Sequence, residues 1–370
     1  MRCVTSFIKK NTVLCIALLA AAVTAFFVPP DREYLSYFDL RTLTCLFVTL
    51  AVICALKNIR FFTVLARRIV RMTGNLRGTV LAVVYITFIG SMIIANDMAL
   101  LTFLPLGYYV LRDTDNLRYM GFLFVIQTIA ANLGGMLTPF GNPQNLYLYS
   151  YFAIPNGEFM AIMVGPFALA TLLVTLCCLF LPLTPVALSR ADDTRLPPKR
   201  TAFYLVLFTL AILMVFRLIP YPVLLVLTPA ALLFADRKAL RQVDYPLLLT
   251  FAAFFVFSGN MVRIPAVNEF FSSLLAKNTL LFSALSCQVI SNVPSAILLS
   301  RFTEDYPALL MGVNVGGTGT LIASLASLIT FREYTSRRPG EGLKYLGLYS
   351  LFSFGFLAVL LLACQFLFLR

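Results

Sequence analysis

Runs of about 17 or more apolar residues recur along this chain, and nothing constrains its fold more. A helix of about 20 mostly apolar residues crosses the roughly 30 Å of bilayer hydrocarbon. A core helix of a soluble protein would be shorter and would carry a polar stripe, which most of these runs lack. With 60% apolar and 12% charged residues, the chain reads as an all-α polytopic membrane protein. Its partner throughout is the lipid bilayer.

The apolar runs predict spans at about 12–28, 40–56, 119–153, 159–182, 201–217, 221–235, 246–262, 305–330 and 345–369. Two further apolar pairs, about 79–111 and 266–300, read as re-entrant helical hairpins. The first run follows Lys9 and Lys10 and is longer than a signal-peptide core, so it reads as an anchored span rather than a cleaved leader.

Within this frame one motif occurs twice. Residues 132–145 read Asn-Leu-Gly-Gly-Met-Leu-Thr-Pro-Phe-Gly-Asn-Pro-Gln-Asn, and 314–327 read Asn-Val-Gly-Gly-Thr-Gly-Thr-Leu-Ile-Ala-Ser-Leu-Ala-Ser. A constant offset pairs Asn132 with Asn314, Gly134 and Gly135 with Gly316 and Gly317, Thr138 with Thr320, Asn142 with Ser324 and Asn145 with Ser327. Each copy also follows an apolar run interrupted by an asparagine, Asn96 or Asn292. Matching polar interruptions in two halves of a membrane chain point to a transporter's binding site.

The net charge of +13 is a matter of topology. With the amino terminus cytoplasmic, the inner loops hold 22 Lys/Arg against 8 Asp/Glu, and the outer ones 7 of each. That is the positive-inside bias, so no nucleic-acid partner is needed. The same assignment enters the first hairpin from the inside and the second from the outside. Residues 1–182 and 221–370 then form two inverted-topology repeats, each with a re-entrant hairpin and a broken helix. A cytoplasmic linker and one extra crossing, 183–220, join them. Lys57 to Arg77, with six basic residues interleaved with apolar ones, reads as a helix in the inner headgroup layer.

Gly134, Gly135, Gly316 and Gly317 permit unwinding at the breaks, and Pro139 and Pro143 enforce it in the first copy. Freed carbonyls suit a hard cation such as Na⁺, and helix N-termini suit an anion. Thr138, Thr320, Asn142 and Ser324 supply further polar atoms without charge. Asp97 is the one carboxyl group placed inside the membrane, where ionisable residues are costly and functional. It reads as a cation- or proton-coupling group, the alternative being a helix N-terminal residue favoured by the dipole. Thr102, Gln127 and Gln288 are secondary candidates for lining the path. Histidine is absent, the cysteines lack ligand spacing, and no phosphate-binding loop occurs. No transition-metal site, no cofactor and no fused ATP engine are expected.

At these motifs the chain resembles the ion-transporter superfamily of divalent-anion/sodium symporters, citrate carriers, arsenite permeases and some sodium/proton antiporters. Gly-Gly-Met-Leu-Thr-Pro-Phe-Gly-Asn-Pro-Gln-Asn is similar to the family's first break. Ile-Ser-Asn-Val-Pro-Ser-Ala is similar to its second hairpin tip, and Ala-Asn-Asp to the first tip of arsenite permeases. Asp244-Tyr245-Pro-Leu-Leu-Leu-Thr-Phe is similar to the segment preceding the second hairpin. The resemblance implies an elevator-type carrier, a homodimer in the inner membrane, whose two hairpins clasp a small anionic solute. It implies one cation site at Ser91, Asn96 and Gly141 and another at Cys287, Asn292 and Ala323. Substrate contacts would come from Asn96, Asn142, Asn292 and Ser324. Dicarboxylate symporters show Ser-Asn-Thr at both tips, whereas here the tips read Ala-Asn-Asp and Ser-Asn-Val, and Cys287 stands where a hydroxyl is expected.

The expectation is a cation-coupled (Na⁺ or H⁺) secondary transporter of a carboxylate or inorganic oxyanion. A metalloid-oxyanion exporter or a sodium/proton antiporter is the alternative, and an intramembrane enzyme a distant one. An enzyme would need a nucleophile with its base, or paired carboxylates, within the membrane.

Overall fold

A computed structural model of the chain describes residues 11–186 and 196–369. The basic head with Lys9 and Lys10, and most of the linker, lie outside the described residues. Among the described residues the chain is helical, and its only strand-like pairing is one isolated bridge between Asn75 and Pro185.

The first half runs α1 (Thr12–Phe27), α2 (Leu40–Asn58), α3 (Phe61–Val70), the hairpin α4 (Leu76–Ile94) and α5 (Asn96–Asp113), the broken pair α6 (Met120–Gly134) and α7 (Pro143–Tyr151), then α8 (Asn156–Leu179). After α9 (Pro198–Val215) come α10 (Tyr221–Ala235), α11 (Arg237–Arg241), α12 (Tyr245–Arg263) and α13 (Pro265–Lys277). The hairpin α14 (Thr279–Ile290) and α15 (Asn292–Leu299) follows, then the broken pair α16 (Tyr306–Val315) and α17 (Leu325–Arg337), and α18 (Gly342–Ala363).

Seven of these elements are long and apolar enough to cross a membrane: Leu40–Asn58, Leu76–Ile94, Leu117–Leu137, Asn156–Leu179, Pro198–Val215, Tyr245–Arg263 and Gly342–Phe368. Predicted spans 12–28 and 221–235 form apolar helices of 16 and 15 residues. Both are shorter than a full crossing, and prolines at Pro29, Pro30 and Pro220 bound them.

Polar caps start many of the elements. Asp39, Asn75, Asp244, Asn278 and Asp305 each accept a backbone N–H from the first turn of the helix that follows. Each such cap contributes about 1 kcal/mol. The Asn278 cap also moves a boundary. The second hairpin does not begin at about 266: α13 is a separate helix, and the hairpin proper spans 279–299. The polar trio Lys277-Asn278-Thr279 that separates them is short and flanked by apolar residues on both sides, so the two runs read as one hairpin. The second broken helix likewise runs on to Arg337, past the expected end at 330, because Arg337 and Glu333 pair one turn apart on α17.

The helices sort into two groups. In one, α1 packs along α12, and α2 packs against α9, α10 and α11. Tyr37 lies across Gly259, and Asn260 donates to Thr24 and Tyr34, which ties α1 and the 32–37 turn to α12. In the other, the hairpins pack on the broken helices, α4 and α5 on α6 and α14 on α16, with α8, α17 and α18 around them. The groups meet where α7 faces α2 and α15 faces α12. Tyr147 packs against Phe255 there with its ring tilted, and its hydroxyl pairs with Ser300.

Loop contacts fall into two sets. Asp31 pairs with Arg263, Arg301 donates to the Tyr37 carbonyl, Tyr306 to Glu158 and Arg217 to the Ala153 carbonyl. Separately, Asn58 donates to Asp236, the Leu76 N–H to the Thr184 carbonyl, and Arg337 sits over the Tyr108 ring. The first set joins segments read as outer, and the second joins segments read as inner.

Candidate functional site at the crossing of two broken helices

The hairpin tips are built alike. Ala95 and Ser291, the residues before the two asparagines, have φ of 63° and 75° with ψ of 153° and 159°. That region is essentially reserved for glycine, and holding another residue there costs of order 1–3 kcal/mol. In each tip the asparagine side chain accepts the next backbone N–H, Asp97 at 3.0 Å and Val293 at 2.9 Å.

The breaks meet these tips through recurring contacts. Thr138 donates its hydroxyl to the Met92 carbonyl at 3.1 Å, and Thr320 to the Gln288 carbonyl at 3.0 Å. A Cβ on Gly134 would sit 2.1 Å from the Phe88 carbonyl oxygen, and one on Gly316 3.0 Å from that of Ala284. Met92 and Gln288, and Phe88 and Ala284, occupy matching hairpin positions. The glycines thus have a packing part besides their place at the breaks. Gly134, Gly135 and Gly316 keep right-handed backbone, yet each α-helix ends at its glycine pair: α6 at Gly134, with a 3-10 turn over Gly135–Leu137, and α16 at Val315, with Gly316 and Gly317 in a turn. Their missing side chains admit the hairpin backbone, as small residues do between membrane helices. Pro139 lies in the first break and Pro143 opens α7, where a missing N–H costs nothing.

Asparagines join the two crossings. Asn96 donates to the Asn132 carboxamide oxygen at 3.0 Å, and Asn132 donates to the Gly317 carbonyl at 3.3 Å. Asn142 reaches the Asn132 carbonyl and the Asn314 side chain at 3.4 and 3.5 Å. Asn314 donates to Asn145 at 2.6 Å. Asn292 lies against Gly317, and its backbone N–H donates to the Ala323 carbonyl at 3.0 Å. Ser324 caps α17 through Ser327, whose hydroxyl receives the Tyr349 O–H. The N-termini of α5, α7, α15 and α17 are thus linked through one buried polar cluster that contains neither Lys nor Arg. Positive helix ends with uncharged amides and hydroxyls suit an anion without burying a full counter-charge.

Several buried oxygens in this region have no donor among the described residues, Gln144 Oε1 in the first turn of α7 among them. Asn142 is 1% exposed, yet its Oδ1 is unpartnered, and so is the buried Oδ1 of Asp97. Unsatisfied buried acceptors are rare and mark a place where an ion, a water or a solute belongs.

The other expected residues are placed as follows. Ser91 turns back to the Phe88 carbonyl beside Gly134. Cys287 is fully buried with its sulfur 3.9 Å from the Val313 carbonyl. Gly141 donates its N–H to the Thr138 carbonyl, and no hydrogen bond among the described residues reaches its own carbonyl. Gln127 ties Thr87 to the Phe103 carbonyl, while Thr102 bonds within its own helix. Among the described residues no group of three His, Cys, Asp or Glu is placed to hold a metal ion. The site assignment overlooked Asn132, Asn314 and Asn145, although the repeat alignment pairs the first two and sets Asn145 against Ser327. The three-fold grip of Asn145 on the Gly135, Met136 and Thr138 carbonyls needs the fold to be visible.

A chain with these paired breaks falls in the class of membrane transporters, and comparison specifies the family. The citrate transporter (CitMHS) family profile matches residues 4–306, so the chain belongs to the citrate transporter family and is a transporter rather than an enzyme. The matched region includes both hairpin tips and the first break, and ends as α16 begins. The chain is similar to an uncharacterized transporter of Methanocaldococcus jannaschii, 32% identical over 300 residues that cover 79% of this chain and 80% of the relative. It is also similar to the inner membrane protein YbiR of Escherichia coli, 29% identical over 333 residues and 87% of each chain.

Proposed function

We propose that this protein is a secondary active transporter of a small anion, a carboxylate or inorganic oxyanion, driven by Na⁺ or H⁺. The single observation that carries this reading is the joining of helix N-termini at the crossing of two broken helices, those of α5 and α7 through the amides of Asn96, Asn132, Asn142 and Asn314, and those of α15 and α17 through the Asn292 N–H on the Ala323 carbonyl. Broken helices whose N-termini face the cargo are the recurrent way membrane carriers hold an anion at mid-bilayer. Asn96, Asn142, Asn292 and Ser324 are assigned to the solute. Thr138 and Thr320 act beneath them by fixing each break to its hairpin.

Several features support inverted repeats moving by an elevator-like mechanism. The hairpin and break contacts recur in both halves, and the loop contacts agree with the sides given by the charge census. The group with both hairpins meets the remaining helices along α7, α15, α2 and α12, a seam suited to sliding. The amino terminus is assigned to the cytoplasm, the membrane to the inner one as for YbiR, and the functional unit to a homodimer. Asp97 is assigned to coupling because a buried, unpartnered carboxyl oxygen beside a solute site can exchange a cation or proton.

The test is uptake of labelled citrate, other carboxylates and inorganic oxyanions into proteoliposomes under imposed Na⁺ and then pH gradients. At least one anion should accumulate above its outside concentration only while a gradient lasts. Flux that never exceeds equilibration, under either gradient and for every anion, would make the protein a passive pore.

A further inference from the structure

The two breaks are not equivalent as places for a cation. A cation held at such a break is bound by carbonyl oxygens released from helical pairing, and those oxygens must be free to face it. In the second break the carbonyls of Gly316, Gly317, Thr318, Thr320 and Ala323 are engaged. The Ala323 carbonyl, the counterpart of Gly141, accepts the Asn292 N–H at 3.0 Å and the Ser291 hydroxyl at 3.3 Å. The Gln288 amide nitrogen donates to the Gly316 carbonyl at 2.8 Å and the Thr318 carbonyl at 3.1 Å, as well as to Ala284. Gln288 Oε1 meanwhile accepts the Thr320 N–H at 2.8 Å. Gly319 passes over this amide at φ +111°, and a Cβ there would lie 2.2 Å from Gln288 Oε1.

The first break is built differently at the same positions. Met92 stands where Gln288 does, and its side chain has no N–H to give. Ala95 stands where Ser291 does and has no hydroxyl. Among the described residues the Gly141 carbonyl is left without a donor, and the Oδ1 atoms of Asn142 and Asp97 are also unpartnered. Asn145 grips other carbonyls of this break, those of Gly135, Met136 and Thr138, and leaves these three oxygens free.

We infer that Gln288 and Ser291 fill the second break with their own hydrogen-bond donors, so that it binds no coupling cation and coupling runs through the first break alone. Gln288 is a positioning residue: its amide supplies the donors that a cation's positive charge would otherwise replace. This deepens the proposed transport function and rests on it for coupling, though its main test needs no transport.

That test is thermal stability of the detergent-purified protein in sodium chloride against choline chloride, for wild type, Asp97→Asn, Gln288→Glu and the double variant. A carboxylate at 288 cannot donate to the Gly316 and Thr318 carbonyls and needs a cation between them. Gln288→Glu should therefore gain a sodium-specific rise of about 2 °C or more over its parent, in both backgrounds. Asp97→Asn alone should show no sodium-specific rise. A sodium-specific rise that survives in Asp97→Asn alone, or Gln288→Glu protein that gains none, overturns the inference. Should Gln288→Glu not fold, wild-type uptake against the driving cation decides. A single-site hyperbola supports one coupling site, and a sigmoid requiring two bound ions overturns it. Failure of the transport reading would abolish uptake and leave the sodium-dependent melting pattern intact, so the two failures are distinguishable.

Discussion

Among single residues, the asparagines divide by what each side chain holds. Asn96 gives its amide to Asn132, so Asn96→Ala leaves a buried oxygen unpaired and should cost about 1–3 kcal/mol besides abolishing transport. Asn292 shows no such partner for its amide nitrogen among the described residues, and Asn292→Ala should abolish transport with a smaller loss of thermal stability. Melting curves beside uptake check both, and equal stability losses would contradict the assigned difference. The glycines give a second contrast. Gly134→Ala drives a methyl into the Phe88 carbonyl and should cost about 1–3 kcal/mol, whereas Gly355→Ala meets nothing within 4 Å and should be neutral. Chemical denaturation in mild detergent reads the two side by side. Asn96, Asn142 and Asn292 were legible in the sequence because polar residues interrupt apolar runs at matching places. The work of Thr138 and Thr320 was not, because a hydroxyl looks alike whether it meets a solute or a hairpin carbonyl.

At the level of elements, both hairpins turn on a non-glycine residue with positive φ. Ala95→Gly relieves that backbone cost and should raise thermal stability by about 1 kcal/mol or more. If the strained turn fixes Asn96 over the break, the same variant should transport more slowly, which initial uptake rates would show. An unchanged melting temperature would mean that the turn carries no strain. The first hairpin and both breaks could be read from the chain, since apolar length, proline and paired motifs all mark them. The start of the second hairpin could not, because the polar trio around the Asn278 cap of α14 is short and apolar residues flank it on both sides. The end of α17 was missed because Glu333 and Arg337 support a helix past the membrane edge, where apolar content no longer reports it.

For the whole molecule, orientation follows from charge, and the structure supplies accessible positions for testing it. Leu35 and Met72 are 78% and 84% exposed and lie in loops assigned to opposite sides. In a cysteine-free background, Leu35→Cys in intact cells should react with an impermeant thiol reagent and Met72→Cys should not. The reverse pattern would invert the topology and place the carboxyl terminus inside. The broad class was legible here because hydrocarbon imposes helices, and two breaks in a membrane chain imply a site. The sorting of helices into two groups was not, since α1 pairs with α12 across more than two hundred residues of sequence. The central claim is that one solute site at the crossing of the two breaks drives accumulation. The most direct measurement is gradient-driven uptake of the preferred anion by wild type, Asn142→Ala and Ser324→Ala in matched proteoliposomes. Wild type should concentrate the anion, and each variant should lose accumulation while remaining folded. Either variant concentrating the anion as wild type does would contradict the claim.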